Sequence, residues 1–198
     1  FLLDEASTDG TMDILRRLCG KYPFLKVCHN ERADGFAAAA RRLYTAARCP
    51  LVFFTDSDGQ YAASEFWKLA PHVEKYSIVH GAKIGRQDTF FRKAASGVFN
   101  RLARFLFDGR YGDVNSAFRI IRREALVELL PQIRCMPTLF NAEMLIRAEL
   151  NNYSIRQIFI LHRRRAHGVS RGLPPHLFIR ECFKTFRGLM ELKNEFKL

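Results

Sequence analysis

The chain has 198 residues, which suits one domain of ordinary size. Hydrophobic residues make up 48% of it, so a disordered chain is excluded, and no apolar run approaches the ~20 residues of a membrane span. The net charge of +12 favours anionic partners: nucleic acid, anionic lipid or phosphorylated small molecules.

Read in order, the sequence alternates short apolar runs with amphipathic stretches. It opens inside a strand, Phe1-Leu2-Leu3-Asp4, with no basic leader, and an earlier strand is expected to precede it. A polar turn follows, in which Ser7, Thr8 or Asp9 can cap a helix over 11–19. A strand is predicted over 24–28, an alanine-rich helix over 35–48 and a buried strand over 51–55. Ser64 is expected to cap a helix over 65–76, followed by a strand over 77–82, a basic loop and a long helix over 90–107. A strand over 114–121, helices over 123–130 and 140–150, and a strand over 155–161 come next. A basic loop leads to Pro174-Pro175 and a last amphipathic helix. The early alternation predicts an α/β domain with a mostly parallel central sheet flanked by helices.

The chemistry centres on Thr55-Asp56-Ser57-Asp58-Gly59-Gln60. A buried strand that ends in two carboxylates places them at the carboxyl edge of a sheet, where open α/β folds bind ligands. Asp56 and Asp58, two residues apart, point to one side of an extended chain. With the neutral oxygen of Gln60 they make a hard donor set that suits Mg²⁺ or Mn²⁺ shared with phosphates. The plain alternative is an acidic turn capping the next helix. Cys19, Cys28, Cys49, Cys135 and Cys182 are scattered without CxxC spacing, so neither a disulfide framework nor a zinc site is expected and a reducing compartment is. His29, His72, His80, His162, His167 and His176 show no metal-ligand spacing and are read mostly as surface residues, with His167 in a loop expected near the site.

Six separated segments together resemble glycosyltransferase family 2 in its polyprenyl-phosphate branch. Asp4-Glu5-Ala6-Ser7-Thr8-Asp9-Gly10-Thr11 is similar to the family's Asp-Asp-Gly-Ser-x-Asp-Gly-Thr turn, and Asp56-Ser57-Asp58-Gly59-Gln60 to its DxDxQ motif. Gly81-Ala82-Lys83 resembles Gly-Ser-Arg, and Asp113-Val114-Asn115-Ser116-Ala117-Phe118-Arg119 resembles Asp-x-x-Ser-Gly-Phe-Arg. Phe140-Asn141-Ala142-Glu143-Met144 and Arg165-Ala166-His167-Gly168-Val169-Ser170 complete the series in the family's order. Glu5, Ala6 and Lys83 depart from the pattern and change reach and fork geometry.

The resemblance implies a GT-A fold whose first strand is missing here, with residues 1–173 forming the N-terminally incomplete catalytic domain; 174–198 is a basic amphipathic helix that either lies in the membrane interface or packs on the domain's own core. It implies a UDP- or GDP-sugar donor, a polyprenyl (undecaprenyl or dolichyl) phosphate acceptor, inversion at the anomeric carbon, and residence at the cytoplasmic face of a membrane. Asp58 and Gln60, with a share for Asp56, are the implied metal ligands. Asp4, Glu5 and Asp56 are implied to meet the nucleoside, although helix capping is the alternative for Asp4 and Glu5. Lys83, Arg92, Arg119 and Arg165 are the candidates for the acceptor phosphate and the diphosphate, set against the alternative of solvated surface. Catalysis is assigned to Asp58, Lys83 and Arg165. Asp113 and Glu143 are either a base or, as favoured here, acids that orient other groups. The competing readings are a relative acting on a polysaccharide, protein or alcohol, a non-catalytic relative, and a basic nucleic-acid module. The last is disfavoured because the aromatics sit in apolar runs rather than on a basic platform.

Overall fold

The structure is a computed structural model that describes residues 1–85, 90–110, 112–165 and 178–197. It forms two compact units, Phe1–Cys49 and Pro50–Leu198.

In the first unit, strands β1 (Leu2–Glu5) and β2 (Val27–Asn30) pair in parallel, Leu2 opposite Val27 and Glu5 opposite Asn30. Helix α1 (Thr11–Lys21) joins them, as a parallel pair requires. Its N-cap is Gly10, left-handed at φ 76°, and the Asp9 carboxylate accepts the Thr11 amide at 3.3 Å. Helix α2 (Phe36–Ala46) buries Ala40 and Tyr44, while Arg41 and Arg42 lie on its more open sides.

The second unit holds a four-stranded sheet in the order β3-β5-β4-β6, built from β3 (Leu51–Phe54), β4 (Ile78–Ile84), β5 (Arg119–Arg122) and β6 (Ile155–Leu161). β5 runs antiparallel to both β3 and β4, and only β4 and β6 are parallel. The sheet is therefore mixed, not mostly parallel. The cause lies in the path after β4. Helix α4 (Phe90–Phe107) follows β4, yet β5 pairs antiparallel with the first part of β4, Ile78 opposite Ile121 and His80 opposite Arg119. The chain leaves and re-enters the sheet at one edge, and the strand expected over 114–121 is a loop until Arg119. That route places the Asp113 loop beside the end of β4.

The helix expected over 65–76 is also broken. Short 3₁₀ turns at Ala63–Glu65 and Ala70–His72 flank α3 (Phe66–Leu69), and Ser64 makes no capping bond. Pro71 has no N–H to continue the helix. Helices α5 (Arg123–Leu129), α6 (Phe140–Leu150) and α7 (Phe178–Glu195) complete the unit.

Apolar clusters hold it together. Leu69, Val79, Phe118, Ile120 and Ile160 pack on one side of the sheet. Ala103, Phe107, Met136, Ile146, Leu189 and Leu192 join α4, α6 and α7. The last helix thus packs on the unit's core through Leu189 and Leu192, while Phe183 and Phe186 nearer its start stay 72% and 50% exposed. Among the described residues no helix is long and apolar enough to cross a membrane.

Candidate active site

The acidic turn begins where β3 ends. Gly59 takes φ 74°, a left-handed turn that side chains other than glycine resist, and it folds Gln60 back so that its amide donates to Asp58 Oδ1 at 3.0 Å. The turn is then bound to the segment after β6. The Arg163 amide donates to the Gln60 carbonyl at 2.8 Å, Gln60 Nε2 donates to the Arg163 carbonyl at 3.3 Å, and Tyr61 bridges His162. This two-way pairing brings Arg165 over the turn. Its Nη2 donates to Asp58 Oδ2 at 2.6 Å and reaches Gln60 Oε1 at 3.5 Å.

Asp56 stands open to solvent at its tip, but protein crowds it. Desolvation first, and the Asp58 charge second, push its carboxyl above the usual carboxylate range, against the pull of Lys83, Arg119 and Arg165. Tyr61 lies behind the turn, its ring 5.2 Å from that of Phe118 and its hydroxyl 3.3 Å from Ser116 Oγ. Desolvation raises the tyrosine's pKa beyond the physiological range, so it remains neutral.

Lys83 comes from the last part of β4. Its amide donates to Asp113 Oδ2 at 2.8 Å, and its Nζ lies 3.5 Å from Asp113 Oδ1. Asp113 itself is held in a left-handed conformation at φ 48°. Its carbonyl accepts His80 Nε2–H at 3.1 Å, and the neighbouring Gly112 amide donates to Gln157 Oε1 at 2.9 Å. His80 is fully buried, and burial followed by the Arg119 charge drives its pKa well below the ordinary value, so the ring is neutral. It departs from the surface expected for most of the histidines, and its position between the apolar Val79 and the small Gly81 and Ala82 of β4 is the sequence signal for burial.

Two sequence candidates have other work. Arg119, expected on the acceptor rim, is 0% exposed. Its guanidinium donates to the carbonyls of Asn141 at 2.9 Å, Ser116, and Val114 at 3.5 Å, so it fastens the loop before β5 to α6. Glu143 is also 0% exposed and acts as an anchor. Its carboxylate accepts the amides of Arg134 (2.8 Å), Cys135 (3.0 Å) and Met136 (2.6 Å) and pairs with Arg147 Nε at 2.9 Å. Its partners are thus three backbone amides and the Arg147 guanidinium. The side chain of Arg92, and residues 166–170 of the last motif with His167 among them, lie outside the described residues.

In the first unit Asp4 is nearly buried. Its Oδ2 accepts the Ser7 amide at 3.2 Å and sits 2.9 Å from His29 Nδ1. Hydrogen bonding from Ser7 leads in holding its carboxyl below the usual range, against desolvation and with help from His29. Glu5 accepts Asn30 Nδ2 at 2.8 Å and the Gly35 amide at 3.2 Å, and Asn30 in turn accepts from Arg42. Both acids therefore brace the strand ends and the turn into α2, and neither caps α1.

The oxygens of Asp58 and Gln60 converge on one positively charged nitrogen, so the pair gathers positive charge at a point. Asp56 adds a third oxygen group on the same turn. Among the described residues no three His, Cys, Asp or Glu side chains form a metal cage. A hard cation held here would complete its shell with water and ligand phosphates, as Mg²⁺ and Mn²⁺ do.

Residues 1–130 match the family model of glycosyl transferase family 2. The chain belongs to that family. Among family 2 relatives, it is 28% identical to a dolichyl-phosphate hexose transferase of Haloferax volcanii over 82% of this chain and 69% of that one. It is 27% identical to an undecaprenyl-phosphate 4-deoxy-4-formamido-L-arabinose transferase of Aeromonas hydrophila over 89% of this chain and 53% of that one. The chain thus spans about half to two thirds of these relatives. The fold is that of glucosyl-3-phosphoglycerate synthase of Mycobacterium tuberculosis, solved with Mn²⁺, UDP-glucose and phosphoglyceric acid. The TM-score is 0.72 at 18% identity, over 98% of this chain and 68% of that one. This likeness of fold runs past residue 130, where the family model ends.

Proposed function

We propose that this family 2 chain is the catalytic part of an enzyme that transfers a sugar from a nucleotide-sugar to a polyprenyl phosphate, with inversion. The observation that carries the reading is the convergence of Asp58 and Gln60 on a cationic nitrogen beside the Lys83–Asp113 pair. The names of both transferase relatives, which include a polyprenyl phosphate, supply the acceptor class.

Asp58 and Gln60, with Asp56, hold the divalent cation in this reading. When bound, that ion neutralises the charge gathering on the departing nucleoside diphosphate. Lys83 and Arg165 steady the two phosphate groups, donor and acceptor, which repel one another. Asp113 keeps the Lys83 ammonium in place. By the family resemblance Asp4, Glu5 and Asp56 meet the nucleoside of a UDP- or GDP-sugar, and Arg92 joins the acceptor cations. A phosphate acceptor is already ionised at neutral pH and needs no strong base. That agrees with Glu143, whose oxygens are spent on backbone amides, and with Asp113, engaged by Lys83. An alcohol acceptor would need a base, and either acid could serve only by giving up these contacts.

The lipid acceptor calls for a membrane surface, taken to be the cytoplasmic face. The exposed Phe183 and Phe186 of α7, with Arg180, Lys184 and Arg187 on the same helix, suit the headgroup region of an anionic leaflet.

The full-length protein is incubated with radiolabelled UDP- and GDP-sugars, undecaprenyl or dolichyl phosphate, and Mg²⁺ or Mn²⁺. Label passing into a chloroform-soluble, mild-acid-labile product is the expected result. Label that appears only in water-soluble or polymeric product overturns the lipid acceptor. A thermal-shift series across donors names the base and sugar, since a ligand of the folded state stabilises it by mass action.

A further inference from the structure

Arg165 does not lie over the acidic turn as a loose surface side chain. Its segment is bound to the turn by the Arg163 amide on the Gln60 carbonyl at 2.8 Å, by Gln60 Nε2 on the Arg163 carbonyl at 3.3 Å, and by the Tyr61–His162 bridge. The guanidinium is therefore delivered to one place. One nitrogen, Nη2, meets Asp58 Oδ2 at 2.6 Å and Gln60 Oε1 at 3.5 Å. Those are the two oxygens assigned to a divalent ion. The pair is half-buried, with side-chain exposures of 31% for Arg165 and 20% for Asp58, so solvent screens it only in part.

We propose that Arg165 and a divalent cation compete for the same two oxygens, so that the Asp58–Arg165 ion pair is an internal lock on the metal position. The proposal rests on the reading of Asp58 and Gln60 as metal ligands. A guanidinium at 2.6 Å and 3.5 Å and a doubly charged ion compete for those oxygens, because the charges repel and a coordination distance of about 2 Å crowds the N–H donor. Entry of the ion therefore turns Arg165 out. Its charge then becomes available to the phosphates that arrive with the ion, while the backbone pairing between Gln60 and Arg163 keeps it within reach. One arginine thus serves two anions in turn. The arrangement makes metal binding weak on its own and stronger when a diphosphate is present to receive the released guanidinium.

The test measures Mn²⁺ affinity by electron paramagnetic resonance on the full-length protein, without nucleotide, for wild type and R165Q, R165M, R165K and D58N. Removing the competing charge is expected to tighten Mn²⁺ binding about threefold to tenfold in R165Q and R165M. R165K keeps the charge and is expected to stay within about twofold of wild type. D58N is expected to abolish binding. In the presence of UDP and GDP the order reverses, and R165Q binds the metal–diphosphate pair more weakly than wild type. Equal or weaker Mn²⁺ affinity in R165Q and R165M, with D58N still abolishing binding, overturns the lock and leaves the metal reading standing. Equal tightening in all three Arg165 variants also overturns it, since loop loosening and not charge would be the cause. If Mn²⁺ binds neither wild type nor R165Q, the lock and the metal reading fall together.

Discussion

Lys83 meets Asp113 twice, once through its backbone amide at 2.8 Å and once through its ammonium at 3.5 Å. One carboxylate thus fixes both where the end of β4 runs and where its cation points. The D113N variant separates these roles. Asparagine tolerates the left-handed φ of 48° and can still accept the Lys83 amide, but it no longer pairs with the ammonium. Transfer activity is expected to fall about tenfold or more, with little change in melting temperature. D113A, which also strains the backbone, should lose both. Steady-state transfer assays beside thermal melts read the difference, and full activity in D113N would remove Lys83 alignment from the mechanism.

Much of this site is legible in the sequence. The turn at Asp56, Asp58 and Gln60 follows a buried strand, and punctuation by Gly59 marks its bend. Helix α6 and strand β6 begin and end where their periodicity places them, because packing and local preference agree there. What sequence hides is the company a side chain keeps. Arg119 and Arg165 have the same chemistry and both stand in family-like motifs, yet one is entombed and the other faces the acidic turn. That difference is set by β5 entering the sheet in reverse, and α4 looks the same in sequence whether or not it crosses over. His80 carries the same lesson. Only pairing with β5 and the Asp113 loop closes over its ring.

Arg119 should act on stability before it acts on substrate. Its fork satisfies carbonyls of Asn141, Ser116 and Val114 in a site closed to water. R119M removes those donors and deprives the Ser116 and Val114 carbonyls of theirs, at a cost of about 1–3 kcal/mol. R119K is expected to recover little, because one ammonium cannot span the fork. Urea denaturation checks this; an R119M protein of wild-type stability with a raised acceptor KM would return Arg119 to the acceptor rim.

His80 makes folding sensitive to mild acid. Its pKa in the folded protein lies well below the ordinary value of 6.5, since burial and Arg119 oppose the charged ring. The unfolded chain therefore takes up a proton that the folded one refuses. Stability is fully present above about pH 6.5 and falls as pH drops below it, by up to about 1.4 kcal/mol per unit from this one group, until the folded pKa is reached. H80Q, which cannot titrate, should flatten that part of the curve even if its stability at pH 7.5 is lower. Denaturant midpoints between pH 7.5 and 5.5 measure both slopes, and parallel curves would dismiss the buried neutral ring.

Glu195 ties the end of α7 to the unit with the opposite pH logic to a raised acid. Partial burial works against its charge, but hydrogen bonds from Arg147 and Arg134 outweigh it and hold the carboxyl below its ordinary 4.5. The contribution is present above that value and is lost as pH falls through the lower folded one. E195Q should therefore melt below wild type at pH 7, by about 1 kcal/mol in stability, and converge on it in acid. A difference that persists unchanged at pH 3 would show that shape, and not charge, supports the contact.

Gly188 decides whether α7 can dock at all. A Cβ at this position would stand 2.4 Å from the Cys135 carbonyl oxygen and 2.7 Å from Met136 Cγ. The first neighbour is backbone, and Glu143 pins that stretch by its amides, so it cannot step aside. Alanine improves helix propensity by about 1 kcal/mol, which would stabilise an undocked helix. G188A is therefore expected to leave α7 helical while prying Leu189 and Leu192 from Met136 and Ile146, at a net cost of about 2–4 kcal/mol. Hydrogen exchange should then rise across α7 and the 134–136 segment together while the β4–β6 amides stay protected. If α7 is held chiefly by a lipid surface and not by this core, G188A will change neither exchange nor melting temperature in detergent-free solution.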